Sequence, residues 1–103
     1  MEYSLIITDW ADELLDNIIF HLLYRLKNQQ AASHLLDNVE KIYEFLKETP
    51  YQFQECRDKY LKKKGYREVP LPNMHYIIIY SIKGTNVYIL GIFHELENYS
   101  SKL

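Results

Sequence analysis

A chain of 103 residues with 48% hydrophobic and 25% charged residues has the composition of one globular domain and leaves little room for a second. Its formal net charge of −2 excludes a general nucleic-acid-binding protein with a strongly basic surface. The single cysteine, Cys56, excludes an intrachain disulfide and a zinc site built from cysteines.

The four histidines show no spacing typical of metal ligands, so we expect no metal site. A chain of this length buries one modest core, which favours a small or shallow functional site without a cofactor. No basic and apolar leader opens the sequence, and no apolar run approaches the roughly 20 residues that span a bilayer. These features predict a cytoplasmic protein without a membrane partner, in which Cys56 is a reduced thiol.

The charges are unevenly distributed along the chain. Residues 1–48 carry nine acidic and four basic residues, whereas residues 49–103 carry five acidic and eight basic residues. Six of the twelve basic residues lie between Arg57 and Arg67, where Asp58 is the only acidic residue. We call residues 57–67 the basic segment. A local patch of this kind can bind phosphate groups or an acidic partner even when the whole protein is slightly acidic.

The first quarter of the chain predicts a strand followed by a helix. Residues 3–8 form a short apolar run that indicates a first strand. Thr8 or Asp9 can cap the helix, and acidic residues follow in its first turn, where the helix dipole favours them. Apolar residues then recur at helical spacing from Ala11 to Leu26.

A second helix follows after a short polar break. The apolar rhythm stops at residues 28–30, resumes at Ala32, and continues to Leu46 before Pro50 ends the pattern. So short a connection between two amphipathic helices predicts an antiparallel helical hairpin.

After Pro50 the spacing of the apolar residues changes from one typical of helices to one typical of strands. Residues 66–71, 74–82 and 87–93 are rich in β-branched and aromatic residues and predict three strands. The turn sequence KGTN at residues 83–86 joins the last two strands as a hairpin. The tail at residues 94–103 is compatible with a turn of helix or a frayed end.

This order of elements predicts an α+β fold in a single domain spanning residues 1–103. It consists of an N-terminal strand, an antiparallel helical hairpin and a three-stranded antiparallel meander, with the helices packed on one face of a roughly four-stranded sheet. We expect the sheet to be curved and antiparallel, with a cluster of cations around Arg67 on its concave side.

Several short motifs, in this order and spacing, resemble the RelE/ParE toxins of type II toxin–antitoxin modules, and the resemblance covers nearly the whole chain. The motifs are the L-x-x-x-P end of the second helix (Leu46 to Pro50), C-x-D from Cys56, the G-Y-R step that ends at Arg67, Y-x-x-x-Y (Tyr76 to Tyr80) and the final I-F-H-x-x-x-x-Y (Ile92 to Tyr99).

The resemblance implies a small toxin, of the kind used in plasmid stabilisation, that is neutralised by a cognate antitoxin. Antitoxins of this class wrap their toxin with a disordered segment that folds on binding, which implies a hetero-oligomer; a homodimer is an alternative. RelE-like members cleave mRNA in the ribosome, whereas ParE-like members inhibit DNA gyrase without known nuclease chemistry. We expect mRNA cleavage by a metal-independent endoribonuclease, with gyrase inhibition or an inactive interaction module as alternatives.

Metal-independent RNA cleavage through the 2′-hydroxyl needs a base, a cation for the developing phosphorane charge and an acid for the leaving oxygen. By resemblance, Arg67 matches the arginine after Gly-Tyr in RelE-like toxins and is the candidate cation. Imidazole side chains titrate near neutrality, which makes His94 a candidate for proton transfer, and Glu95 is a candidate base. By resemblance again, Tyr99 matches the tail tyrosine of the nuclease branch. All four also have structural interpretations, as surface ion pairs, a strand-end cap or packing on the sheet.

The remaining cations of the basic segment are candidates for binding RNA or an acidic partner: Arg57, Lys59, Lys62, Lys63 and Lys64. A lysine run before a strand also has a structural interpretation, because exposed charge discourages edge-to-edge aggregation. The sequence pI of about 6.1 disfavours a ribosomal target, whereas the local excess of positive charge favours one.

Overall fold

The structure of this protein is a computed structural model that describes residues 2–103. Two helices pack against a four-stranded sheet. The helices and strands are β1 (Ser4–Ile7), α1 (Asp9–Phe20), α2 (Gln29–Glu48), α3 (Lys59–Lys63), β2 (Arg67–Pro70), β3 (Tyr76–Lys83) and β4 (Asn86–His94). A π-helical turn (His21–Arg25) follows α1, and 3-10 turns lie at Pro50–Gln52 and Tyr99–Lys102. The predicted α+β architecture is confirmed.

The sheet has the strand order β1-β4-β3-β2, and β2, β3 and β4 form the predicted antiparallel meander. The expectation of a fully antiparallel sheet is wrong, because β1 runs parallel to β4, with Ser4 opposite Asn86 and Ile7 opposite Ile89. Parallel neighbours need a long crossover connection, and the helical hairpin with the following strands provides one here. The sheet is therefore mixed, and β1 is one of its two edges.

The first helix begins where predicted and ends earlier. Thr8 caps it by accepting a hydrogen bond from the backbone N–H of Ala11 (3.2 Å), while its hydroxyl donates to the carbonyl of Ile89 (2.8 Å). After Phe20 the backbone widens into the π-helical turn, in which the N–H of Leu26 donates to the carbonyl of His21 (3.0 Å). The α-helix is thus shorter than the apolar pattern indicated, because that pattern does not distinguish an α turn from a π turn.

Each face of the sheet carries its own apolar cluster, because successive residues of a strand point to opposite faces. On the helix face, strand residues pack against α1 and α2; these are Val69, Ile78, Tyr80, Val87, Ile89 and Ile92. On the other face, which we call the tail face, Ile77, Ile79 and Phe93 pack against Cys56, Leu61, Tyr99 and Leu103. The α3 segment and the C-terminal turn therefore cover the tail face, and Trp10 and Leu14 of α1 also contact this cluster.

A β-bulge decides which face the end of β4 presents. Ile79 pairs with Gly91 whereas Tyr80 pairs with Ile89, so Leu90 is an extra residue between the two pairs. Directly opposite residues share a face, and His94, which pairs with Tyr76, consequently lies on the helix face. If residues 89–94 alternated regularly, without the bulge, His94 would point to the tail face.

None of the helices within residues 2–103 combines the length and the apolar character that crossing a bilayer requires.

Candidate functional site

The basic segment folds into a short loop and the five-residue helix α3. Asp58 caps this helix by accepting a hydrogen bond from the N–H of Leu61 (3.0 Å), and Gly65, at φ +82, ends it in the left-handed conformation that glycine adopts most readily. Leu61 is fully buried on the tail face and anchors the helix. Five residues are too few for a periodic pattern, but the capping aspartate and the terminal glycine are signals that could have predicted α3.

Lys59, Lys62 and Lys63 lie on the exposed side of α3, because residues three and four apart share one side of a helix and Leu61 takes the buried side. Within residues 2–103, no carboxylate lies within 4.0 Å of these three ammonium groups. Lys64 is held differently, with its Nζ atom 4.5 Å from the ring centroid of Tyr60.

Both arginines of the basic segment are engaged within the protein. Arg57 binds the buried carboxylate of Glu68 through its Nε atom (2.9 Å) and its backbone N–H (2.9 Å). Arg67 lies at the rim of the helix face, donates to the carbonyl of Phe53 (2.7 Å) and places its guanidinium 5.0 Å from the ring centroid of Tyr51. Arg67 thus lies on the opposite face of the sheet from α3 and is not the centre of a cation cluster, contrary to our expectation.

His94 lines a cleft of about 260 Å³ between the end of β4 and α1, together with residues such as His21, Tyr76 and Glu97. Its Nδ1 atom accepts the backbone N–H of Leu96 (3.2 Å), so a neutral ring carries its proton on Nε2. Besides apolar and aromatic side chains, the cleft is lined by Asn17, His21 and Glu97, and Arg67 is not among the lining residues.

The other two catalytic candidates lie elsewhere. Glu95 is exposed and contacts the Nδ1 atom of His75 with one carboxylate oxygen (2.8 Å). Tyr99 lies on the tail face, where its ring stacks on Phe93 at a centroid distance of 5.5 Å and an interplanar angle of 18°. Burial raises the pKa of the Tyr99 hydroxyl, and the nearby Glu68 carboxylate adds to the increase.

The four candidates therefore do not converge. Arg67 pairs with Tyr80 on β3, whereas His94 pairs with Tyr76 from the other side of that strand. Four residues of strand span about 14 Å, and β2 and β4 are separated by β3. Tyr99 lies on the tail face, while Arg67 and His94 lie on the helix face.

A second feature, which sequence reasoning missed, is a groove of about 540 Å³ between β1 and α2. Its apolar floor contains Leu5, Ile7 and Tyr43, and its rim carries the charged residues Asp37, Glu40, Lys41, Glu44 and Lys47. Burial raises the pKa of the Tyr43 hydroxyl to about 12, with a smaller contribution from Asp12. A groove that joins a strand to a helix far away in sequence leaves no local signal.

The groove borders a free sheet edge. The N–H groups of Ser4 and Thr8 point toward β4, where they donate to the carbonyls of Thr85 (2.8 Å) and Ile89 (3.2 Å). Because backbone groups alternate in direction along a strand, the N–H and C=O groups of Leu5 and Ile7 point away from the sheet. This edge can accept a further strand.

Neither a reactive thiol nor a metal-binding cluster is found within residues 2–103. Burial raises the pKa of the Cys56 thiol to about 12, and the nearby Glu68 carboxylate contributes, so the thiolate is scarce at neutral pH. Within residues 2–103, no group of three or more histidine, cysteine or acidic side chains is arranged to hold a metal ion.

A family model and a solved structure are similar to this chain. The family model described as "ParE toxin of type II toxin-antitoxin system, parDE" matches residues 5–99. No curated protein sequence matches the chain. A solved structure described as "Chromosomal ParDE TA system from P. aeruginosa" is similar in fold, with a TM-score of 0.73 and 21% sequence identity over 90% of this chain and 96% of that chain.

Proposed function

Because the chain belongs to the ParE toxin family of type II toxin–antitoxin systems, we propose that it arrests bacterial growth by binding DNA gyrase and not by cleaving mRNA. The separation of the candidate catalytic residues carries this proposal. Cleavage through the 2′-hydroxyl requires a base, an acid and a cation within hydrogen-bonding reach of one phosphate.

The geometry supports an inhibitor that acts by contact. The guanidinium of Arg67 is bound by Phe53 and Tyr51, and about 14 Å of strand separates the positions of Arg67 and His94 along β3. Tyr99 is on the other face of the sheet and stacked on Phe93. A binding protein needs no such constellation, because affinity comes from shape, apolar contact and charge at the interface.

Cleavage of mRNA remains the second candidate, and one observation favours it. Lys59, Lys62 and Lys63 form an exposed cationic surface without internal partners, which suits a polyanion such as RNA. The catalytic assignment of Arg67 and His94 stays a prediction that an RNA assay tests.

One induction experiment separates the candidates. The chain is expressed from a regulated promoter in a bacterial host, and growth, mRNA length and plasmid supercoiling are followed in the same samples. Gyrase inhibition predicts growth arrest with relaxed plasmid and intact mRNA. Rapid loss of full-length mRNA while supercoiling persists would overturn the proposal in favour of cleavage, and growth without arrest would favour the inactive interaction module. Purified protein added to gyrase, ATP and relaxed plasmid provides the direct assay.

A toxin of such a module has a cognate antitoxin, and the groove between β1 and α2 is where we place its extended segment. The free N–H and C=O groups of Leu5 and Ile7 favour an added strand that continues the sheet beyond β1. Three acidic residues and two lysines form the charged rim, and Lys47 is paired with Glu44 (3.2 Å). The segment that fits therefore alternates apolar side chains with basic ones.

A further inference from the structure

We infer that the exposed side of α3, formed by Lys59, Lys62 and Lys63, binds the phosphate backbone of duplex DNA without reading its sequence. The inference rests on the proposed function, because DNA is the substrate that gyrase holds. The contact would bring the toxin onto the DNA beside its target.

The first observation is an excess of positive charge that the fold does not neutralise. The three ammonium groups have no carboxylate within 4.0 Å inside residues 2–103, although the segment that precedes them contains Glu55 and Asp58. Asp58 is used as the helix cap. Lys59 lies three residues before Lys62 and four before Lys63, a spacing that places Cβ atoms about 5–6 Å apart on one side of a helix. An anion that binds between these ammonium groups reduces their mutual repulsion.

The second observation is that α3 itself carries no arginine. Sequence readout in a groove relies on bidentate side chains, above all arginine. Arg67 is bound to the carbonyl of Phe53 on the helix face, and Arg57, whose side chain is exposed, is bound through Nε to Glu68. A helix of five residues is about 7.5 Å long, too short to follow a major groove. Lysines on such a helix suit phosphates, which fix position and carry no sequence information.

The third observation concerns the aromatic rings near α3. Single strands are held by aromatic rings on which bases stack. The ring of Tyr99 is stacked on Phe93, and the ring of Tyr60, which is 55% exposed, has the ammonium of Lys64 on one face. A cation on one face does not prevent a base from stacking on the other, so the single-stranded competitor in the test distinguishes the two forms of nucleic acid.

The fourth observation is charge polarity across the sheet. The helical hairpin on the helix face belongs to residues 1–48, which carry nine acidic and four basic residues, whereas α3 packs on the tail face. A polyanion attracts the α3 side and repels the hairpin side, so the protein approaches DNA in one orientation. The acidic hairpin and the groove beside it then face away from the DNA and remain open to proteins.

The test is fluorescence anisotropy with a labelled 24-base-pair duplex and the full chain, between 50 and 200 mM salt. Three phosphate contacts predict a slope of about −2.7 for log affinity against log salt concentration, which corresponds to a roughly 40-fold loss over this range. A variant with Lys59→Gln, Lys62→Gln and Lys63→Gln is expected to lose at least tenfold in affinity at 50 mM salt, with a slope near zero. The matched control carries Arg25→Gln, Lys27→Gln and Lys83→Gln, has the same net charge and should bind as the native chain does.

Three outcomes of this experiment would overturn the inference that α3 binds duplex DNA. Failure of the native chain to bind the duplex, or equal weakening by the two triple variants, would overturn the inference. A single-stranded RNA of equal length that binds tenfold tighter than the duplex through the same lysines would also overturn it. Circular dichroism of both triple variants verifies that they are folded.

A parallel gyrase supercoiling assay keeps the two proposals distinct. Inhibition of gyrase by a chain that binds no DNA would leave the proposed function standing and refute the α3 contact. Binding of DNA through α3 without any effect on gyrase would refute the proposed function and support the contact itself. Loss of inhibition in the α3 variant but not in the control supports both.

Discussion

The carboxylate of Glu68 is only 1% exposed, and Arg57 donates two hydrogen bonds to it, from its backbone N–H and from Nε, both at 2.9 Å. The pair joins the loop before α3 to strand β2. The Glu68 carboxylate is buried in this pair, so its negative charge is not exposed beside the basic segment on the tail face.

Replacing Arg57→Ala is expected to lower the free energy of unfolding by about 1.5–3 kcal/mol, because a buried carboxylate loses its charged hydrogen-bond donor. Urea denaturation followed by circular dichroism measures the change. Arg25→Ala, which removes an exposed arginine on the other side of the molecule, is the control and should be nearly neutral. Equal stability of the two variants would show that the ion pair does not hold the loop.

The variants Arg67→Ala, His94→Ala and Tyr99→Phe are expected to retain gyrase inhibition and growth arrest, because their side chains do not form one site. If instead the chain cleaves RNA with His94 as acid or base, His94→Ala should reduce the cleavage rate by about 10²–10⁴-fold. The measurement is primer extension on a defined mRNA after induction, with the amount of folded protein determined in parallel. Loss of arrest in all three variants at normal protein levels would contradict the binding mechanism.

Replacing Ile7→Pro is expected to weaken antitoxin binding roughly tenfold while the toxin still arrests growth. Proline removes the outward N–H of β1 and leaves the hydrogen bonds toward β4 in place, which is why it is tolerated on edge strands. Ile7→Val retains the N–H and is the matched control. The readout is rescue of growth by the co-expressed antitoxin, and full rescue of the proline variant would argue against strand addition at β1.

Replacing Gly91→Ala is expected to lower the free energy of unfolding by about 1–3 kcal/mol through overpacking. A Cβ atom at this position would lie 2.6 Å from two ring atoms of Phe93, which is fully buried between Trp10 and Tyr99 and cannot easily move aside. Thermal unfolding measures the effect. Combining Gly91→Ala with Phe93→Leu should recover part of the loss, and additive losses would show that the contact is not the cause.

Stability should fall at alkaline pH through Cys56. Burial raises the pKa of its thiol from 9.0 to about 12, so the stabilisation of the neutral form is complete below pH 9 and is lost as the pH rises from 9 toward 12. Unfolding in urea at pH 8, 9 and 10.5 should show a steeper decline for the native chain than for Cys56→Ala. A thiol reagent at pH 8 should react slowly with the native chain and rapidly in urea; rapid reaction without urea would contradict the burial.

The sequence predicted most of the fold because its signals are local. Helical spacing, the capping Thr8 and the strand-rich second half indicated the elements in the right order, and they indicated the family by its motifs. The predictions failed for three features that leave no distinct pattern in the local sequence. The π-helical turn has the same apolar spacing as a helix, α3 is too short for a period, and the parallel pairing of β1 with β4 joins strands from the two ends of the chain.

The sequence by itself determined the α+β order, the charge asymmetry and the existence of a basic segment, because these depend on composition and on neighbours along the chain. Only the tertiary structure decided where the candidate residues point. The bulge at Leu90 turns His94 to the helix face, Glu68 of β2 binds Arg57, and the carbonyl of Phe53 binds Arg67. Side chains alternate between the two faces of a strand, so a single bulge residue moves the side chains that follow it to the opposite face. Such a bulge leaves no recognisable pattern in the sequence.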